Sequence, residues 1–349
     1  MANLKELIAF EEQFGSAGRT LSRLIRPVIA ARPGKTLVWG DWSAIEACVL
    51  PWLADTRGSR EVLAVIDAAQ KDPNLPDLYC REAAGIEGTP LDVFWDRYRA
   101  KEPAAQEARQ TGKVAVLSLG FGGAVGALQN MATGYGISLT EAEAQVIVDK
   151  WRENNRWARS FWDALWAAFL EAMENPGVPY EVGRVVYLFD KGYMGGAMLC
   201  FLPDGRPLVY PQLKWKMRER EDRDGNVTSK LELTYRRGYN THSLWYGVLA
   251  ENVTQATAAS LLRELTTRLD PAPALVYSGV TVPRILPDYA EIVGHTHDEA
   301  IIETDDDEES VAVVQALLHE EMTRRPDWAD GLPLASDVTT NWYYTKDKI

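Results

Sequence analysis

The chain has 349 residues, 25% charged and 46% hydrophobic, enough to bury a large core in one big or two modest domains. Its formal net charge of −13 argues against tight, nonspecific attraction to a polyanion. No apolar run reaches the length of a membrane span, the first residues lack a signal-peptide core, and Cys48, Cys80 and Cys200 form no CxxC pair. The expectation is a cytoplasmic protein with neither zinc site nor disulfide framework and no membrane partner.

Residues 4–14 read as a short amphipathic helix. Thr36-Leu-Val-Trp-Gly-Asp41 reads as a strand ending at a carboxylate, and Trp42 to Leu53 as a helix that Pro51 would kink. Gly34-Lys35-Thr36 imitates the end of a phosphate-binding loop, but that loop needs glycine where Ile29 stands. Ser59 to Ala100 reads as helix interrupted at Asp72-Pro-Asn-Leu-Pro76. Pro103 opens a long helix carrying Arg109, Lys113 and Leu117, which ends in Gly120-Phe-Gly-Gly123. A dinucleotide fingerprint fails there, because Val125 occupies the place of its third glycine. Thr140-Glu-Ala-Glu143 is a capping box for a further helix whose indoles (Trp151, Trp157, Trp162, Trp166) are read as core.

From 180 to 240 the pattern turns to strands at 185–188, 197–201, 208–210 and 231–235, with turns at Pro203-Asp-Gly205 and Asp224-Gly-Asn226. In Lys214-Trp-Lys216-Met-Arg218, alternation puts three cations on one face and Leu213, Trp215 and Met217 on the other. That face is either a plain exposed strand or a nucleic-acid surface. A helix is expected from Leu244 to Leu269. Asp305-Asp-Asp-Glu-Glu309 reads as the solvated start of a last helix, Glu308 to Arg324, since acids suit that end of the helix dipole.

The chemistry concentrates in Gly294-His-Thr-His-Asp-Glu-Ala-Ile-Ile-Glu303, which reads as a β-hairpin holding adjacent carboxylates at a tight turn. An isolated His-Asp-Glu is more often a solvated turn than a site. Asp41, a second carboxylate at a strand end, changes the odds: on neighbouring strands, Asp41 and Asp298 could grip two divalent ions for phosphoryl transfer. Arg109 and Lys113 lie one helical turn apart on one face, a spacing suited to clamping a triphosphate. A metal-dependent nuclease would use similar acids, but not that clamp.

Asp41-Trp-Ser-Ala-Ile-Glu46-Ala-Cys48 resembles the first palm motif of A-family DNA polymerases, the bacterial DNA polymerase I type. Arg109-xxx-Lys113 followed by Phe121-Gly122 resembles their fingers-helix motif, and His297-Asp298-Glu299 their third. Asn252-Val-Thr-Gln255, Trp151-Arg-Glu-Asn-Asn and Leu202-Pro-Asp-Gly-Arg resemble connecting segments of the bacteriophage branch; the likeness runs from about Leu21 onward. It implies that Asp41 and Asp298, with the Trp42 carbonyl, hold two Mg²⁺, and that Glu299 sits beside them as a further catalytic residue. It implies that Arg109 and Lys113 bind the incoming triphosphate, with Lys113 protonating the departing pyrophosphate. Glu46 would be the steric gate against a ribose 2′-hydroxyl. Leu117 would line the sugar pocket, and Phe121 would pack near the nascent base pair. Gly122 would let the chain turn close to the template base, while Gln255 and His297 would touch primer-template DNA. Two departures stand out: Cys48 replaces a frequent arginine, and Phe121 a frequent tyrosine, which leaves sugar or template choice open.

The expected fold is therefore α/β (α+β): a right-hand palm with an antiparallel sheet, plus helical fingers, with thumb and exonuclease domain absent because only about forty residues precede Asp41. Expected domains are 1–56 (N-terminal helix and first palm segment), 57–180 (fingers) and 181–349 (palm with β-hairpin insertion). The implied activity is template-directed 5′→3′ primer extension from dNTPs, without proofreading. The expected role is phage replication as the catalytic half of a split polymerase, with weak DNA binding and a separate protein supplying thumb, exonuclease or processivity function. A non-catalytic, polymerase-like scaffold is the alternative.

Overall fold

A computed structural model describes residues 10–221, 227–271 and 283–345. Residues 10–14 are helical, as expected; the earlier part of that predicted helix and the Asp224-Gly-Asn226 turn lie outside the described residues. Helix α1 (Ala17–Leu24) precedes strand β1 (Lys35–Trp42). Trp42 thus ends the strand and does not open the next helix, α2 (Ile45–Ala54), because Ala44 takes a left-handed φ of 53° between them. Pro51 is accommodated inside α2, which ends one turn later at a left-handed Asp55. The helical stretch then breaks twice, giving α3 (Arg57–Lys71), α4 (Leu78–Glu87) and α5 (Leu91–Arg99). Each break has a local cause: Asp77 caps α4 through the Cys80 amide (2.9 Å), and Gly88 turns left-handed at its end.

Helix α6 (Pro103–Leu119) starts on Pro103, and α7 (Val125–Gly134) follows. The Thr140 capping box forms and opens α8 (Glu141–Asn154), but the tryptophan-rich stretch is two helices, since Asn155 leaves helical geometry before α9 (Arg156–Glu174). Trp151 and Trp162 are buried and stacked at 6.2 Å, while Trp157 and Trp166 are half-buried. Strands β2 (Tyr180–Val182), β3 (Val185–Asp190), β4 (Ala197–Phe201) and β5 (Pro207–Pro211) form an antiparallel sheet in that order. Strands β6 (Lys214–Glu221), β7 (Val227–Arg237) and β8 (Asn240–Leu244) form a second one. Helix α10 (Tyr246–Leu269), the hairpin β9 (Glu291–Thr296) and β10 (Glu299–Asp305), helix α11 (Glu308–Thr323) and strand β11 (Ser336–Asn341) complete the chain. Asp307 caps α11 by accepting the Ser310 amide at 2.9 Å, a bond that lowers its carboxyl pKa, and Glu308 and Glu309 occupy the first turn. The acidic run thus divides: Asp305 ends β10 opposite Lys35, and Asp307 to Glu309 form the helix start that the composition predicts.

The chain divides into two compact units. One comprises Met1–Ser43, Leu261–Arg324 and Ala335–Ile349; its sheet has the order β11-β1-β10-β9, every pair antiparallel. Alternation splits β1: Leu37 and Trp39 join Ile301 and Tyr344 in a core on one face, while Gly40 and Trp42 lie against α11 on the other. A Cβ on Gly40 would come within 3.2 Å of Leu318, and the Trp42 indole donates to the Met322 carbonyl at 2.8 Å.

The other unit comprises Ala44–Ser260 and Arg325–Leu334. Its helices α4 and α6 meet through small side chains, with Cys80, Ala83, Ala84, Phe94 and Ala105 forming a core cluster. Gly112 sits at this crossing, and a Cβ there would lie 2.4 Å from the backbone oxygen of Tyr79. Alanine is the better helix former by about 1 kcal/mol, but backbone cannot step aside as a side chain can. Gly112→Ala is therefore expected to lower the unfolding free energy by about 1–3 kcal/mol in urea titrations; a stabilised variant would show that the helices have room.

Candidate active site

The acids of the first unit are placed by strand register. Asp41 pairs with Glu299 of β10 on one side and Asp337 of β11 on the other, so all three side chains leave the same face. Thr296 pairs with Glu299, which leaves His297 and Asp298 as a two-residue turn. His297 takes the left-handed φ of 53° that such a tight connection demands of its first residue. The hairpin expected from the sequence is present, with His297 exposed and Asp298 half-buried at its crest. Asp41 is also half-buried. Glu299 differs: it is 1% exposed and accepts a hydrogen bond from the Tyr344 hydroxyl. Tyr344 is itself buried, edge-on to Trp39 with ring centroids 5.4 Å apart.

The cations of the second unit lie along α6. Arg109 and Lys113 fall on one stripe, and aromatic rings bracket both. The Arg109 guanidinium lies 5.3 Å from the Tyr79 ring centroid and 5.4 Å from that of Tyr98. The Lys113 ammonium lies 5.9 Å from Tyr79 and 5.4 Å from Tyr135. Arg109 also donates Nε to Asp77 at 3.0 Å, so the acid that caps α4 holds the arginine in place. Burial, with Asp77 nearby, pushes the Tyr79 hydroxyl up to about 12. The neutral rings hold both cations without cancelling charge, while Asp77 pairs with the charge of Arg109.

Farther along α6, Leu117 joins Glu46, Phe121, Leu50 and Trp151 around an apolar pocket. Glu46 and Phe121 are half-buried there. Gly122 is left-handed at φ 77°, and a Cβ on it would lie 2.7 Å from the Tyr246 ring, so packing as well as backbone conformation requires glycine. Cys48 is a core thiol, pushed up to about 12 by burial. Gln255 is exposed on α10, where its amide donates to Glu251 at 3.4 Å.

Over 341 residues the chain is 30% identical to a DNA polymerase of Bacillus phage SP02, covering 97% of this chain and 46% of that protein. It also aligns with the POL domain of Pol1 from M. smegmatis, solved with DNA primer-template and dNTP, at a TM-score of 0.52 and 17% identity over 92% of this chain and 42% of the other. By fold the chain is similar to that polymerase domain. The chain spans about half the length of the phage polymerase it matches. No family model matches it.

Several residues near the predicted ones carry no signal in the sequence. Asp337 gave no signal, because the short polar strand that carries it lacks an apolar period. Tyr344, Asp77 and the rings of Tyr79, Tyr98 and Tyr135 act through contacts that no local spacing announces. Glu82 lines the Glu46 pocket at 2% exposure and accepts from the Asn155 amide at 2.6 Å. Among the described residues, no three His, Cys, Asp or Glu side chains gather as a ready-made metal cluster.

Tyr344→Phe would remove the hydroxyl from a buried carboxylate and is expected to cost about 1–3 kcal/mol; denaturant unfolding at neutral pH measures it, and an unchanged midpoint would mean Glu299 does not depend on Tyr344. Burial raises the Glu82 pKa, against opposing interactions with Arg81 and Asn155. The folded state therefore keeps this proton to higher pH than the unfolded chain does, and stability falls as pH rises above the ordinary carboxylate range. Glu82→Gln is expected to be more stable relative to the parent at neutral pH than at pH about 4; a pH-independent difference between the two would contradict the raised pKa.

Proposed function

We propose that this chain extends a primer 5′→3′ on a DNA template from dNTPs, by nucleotidyl transfer at two Mg²⁺ ions. The observation that carries the reading is the register that sets Asp41 at the end of β1 across from Glu299, next to the turn residue Asp298. The donor set fits the metal: Mg²⁺ is held by one or two carboxylates plus substrate phosphates and water, and needs no closed protein cage. Asp41, Asp298 and the Trp42 carbonyl are the assigned ligands. When bound, the ions would favour the attacking form of the primer 3′-hydroxyl and offset charge on the leaving pyrophosphate.

The chain's own groups supply the rest. Arg109, oriented by Asp77 and its two rings, binds and aligns the triphosphate. Lys113 donates a proton to the departing pyrophosphate. Glu46 crowds the 2′ position of the sugar, with Leu117 and Phe121 lining the same pocket, and Phe121 packs near the new base pair. Gly122 lets the chain turn beside the template base, and Gln255 and His297 contact the primer-template. Glu299, buried and held by Tyr344, positions the turn that carries Asp298. In this reading 57–180 are the fingers, and 1–56 with 181–349 are the palm.

The likeness to a Bacillus phage polymerase supports a replication role in the cytoplasm of an infected host. The net charge of −13 supports a partner protein that supplies thumb, exonuclease or processivity function to hold the template. Co-elution with neighbouring gene products in gel filtration tests that partner.

Primer extension with purified chain, Mg²⁺ and dNTPs is expected to proceed. Asp298→Ala and Asp41→Ala are each expected to abolish it while leaving the melting curve intact. Extension that survives either substitution would sink the metal assignment. Silence from the parent, persisting after host or phage extract is added, would return the scaffold alternative.

A further inference from the structure

β7 and β8 meet in a two-residue turn: Arg237 pairs with Asn240 across the ladder, which leaves Gly238 and Tyr239 at the tip. Gly238 takes a φ of 58°, and Tyr239 is 96% exposed, the most exposed large apolar side chain among the described residues. Arg236 and Arg237, immediately before the turn, are both exposed. Arg236 donates Nε to the Gly238 carbonyl at 2.8 Å, and among the described residues neither arginine forms an ion pair. Arg97, Arg109, Arg206 and Arg218 of the same unit, by contrast, each meet an acid.

Both arginines line a groove of about 580 Å³ together with Tyr210, Tyr235, Asn252 and Gln255. The floor is built: Tyr210 and Tyr235 pack edge-to-face at 5.2 Å, and the Asn252 amide donates to the Tyr210 hydroxyl at 3.1 Å. Two guanidinium groups without carboxylates match phosphate oxygens. A two-stranded ribbon is of a size to enter a duplex groove, and an exposed ring can lie against a sugar or base edge. Glu251, the nearby acid on α10, is occupied by the Gln255 amide.

We propose that the β7–β8 tip grips the sugar–phosphate backbone of primer-template duplex, with Arg236 and Arg237 on phosphates and Tyr239 against the adjoining sugar or base edge, beside Gln255. The identity of the partner rests on the polymerase reading. The tip supplies a local positive contact in a chain whose net charge repels DNA.

The test is fluorescence anisotropy of a labelled primer-template titrated with full-length chain over a salt series. Each lost phosphate contact removes about 0.9 from the slope of log affinity against log salt. Arg236→Ala/Arg237→Ala is expected to flatten that slope by about 1.8, which shrinks the affinity ratio between about 50 and about 200 mM salt roughly twelvefold. Arg236→Lys/Arg237→Lys keeps the slope, and Tyr239→Ala weakens binding without changing it. Thermal melting confirms folding, and an Arg→Gln pair replaces the alanines if they melt early. A parent that binds, with an alanine pair of unchanged slope, overturns the tip contact and leaves the polymerase reading standing. A parent that neither binds nor extends primer-template, even after host or phage extract is added, overturns both.

Discussion

Strand register is the constraint on which the grouping of carboxylates in the first unit depends. Side chains alternate with period two, so a one-residue slip of β1 against β10 would turn Asp41 to the α11 face and put Gly40 where the carboxylate belongs. Packing on both faces forbids the slip. Gly40 leaves no room for a side chain under Leu318, and Trp42 is tied by its indole to the Met322 carbonyl. On the other face, Leu37 and Trp39 close a core with Ile301 and Tyr344. The core therefore fixes where the carboxylates emerge.

Glu299 shows how one residue joins the two tasks. It stands at the start of β10, next to the turn that carries Asp298, yet it is buried and bonded to Tyr344. A carboxylate in such a place is costly unless a donor reaches it, and the Tyr344 hydroxyl does. The neighbouring Asp298 keeps partial access to solvent, so two adjacent acids have different surroundings.

The cationic helix solves the opposite problem. Arg109 and Lys113 are held in place within a unit rich in carboxylates. Rings flank both: Tyr79 is shared by the two cations, and Tyr98 and Tyr135 close the outer sides. Asp77 adds one anchor to Arg109, through the same carboxylate that starts α4. Among the described residues the arginines of the β7–β8 tip have neither a ring nor an acid against them, and Arg236 is steadied only through its Nε on the Gly238 carbonyl.

The sequence by itself determined whatever depends on residues near one another along the chain. The Pro103 helix start, the Thr140 capping box, the one-turn spacing of Arg109 and Lys113 and the tight His297-Asp298 turn all rest on local geometry, and all appear as read. Local rules also marked their own limits: Trp42 looked like a helix start because apolar spacing continues past the strand, and only the left-handed Ala44 separates the two. Tertiary structure alone decided which carboxylates share a face, because Asp337 meets Asp41 through a ladder between segments nearly three hundred residues apart. It alone decided that Glu299 is buried beneath Tyr344, that Tyr79 and Tyr98 bracket Arg109, and that Glu82 reaches the pocket of Glu46. These contacts join residues distant in sequence, and no periodicity records a partner that folding has yet to bring near.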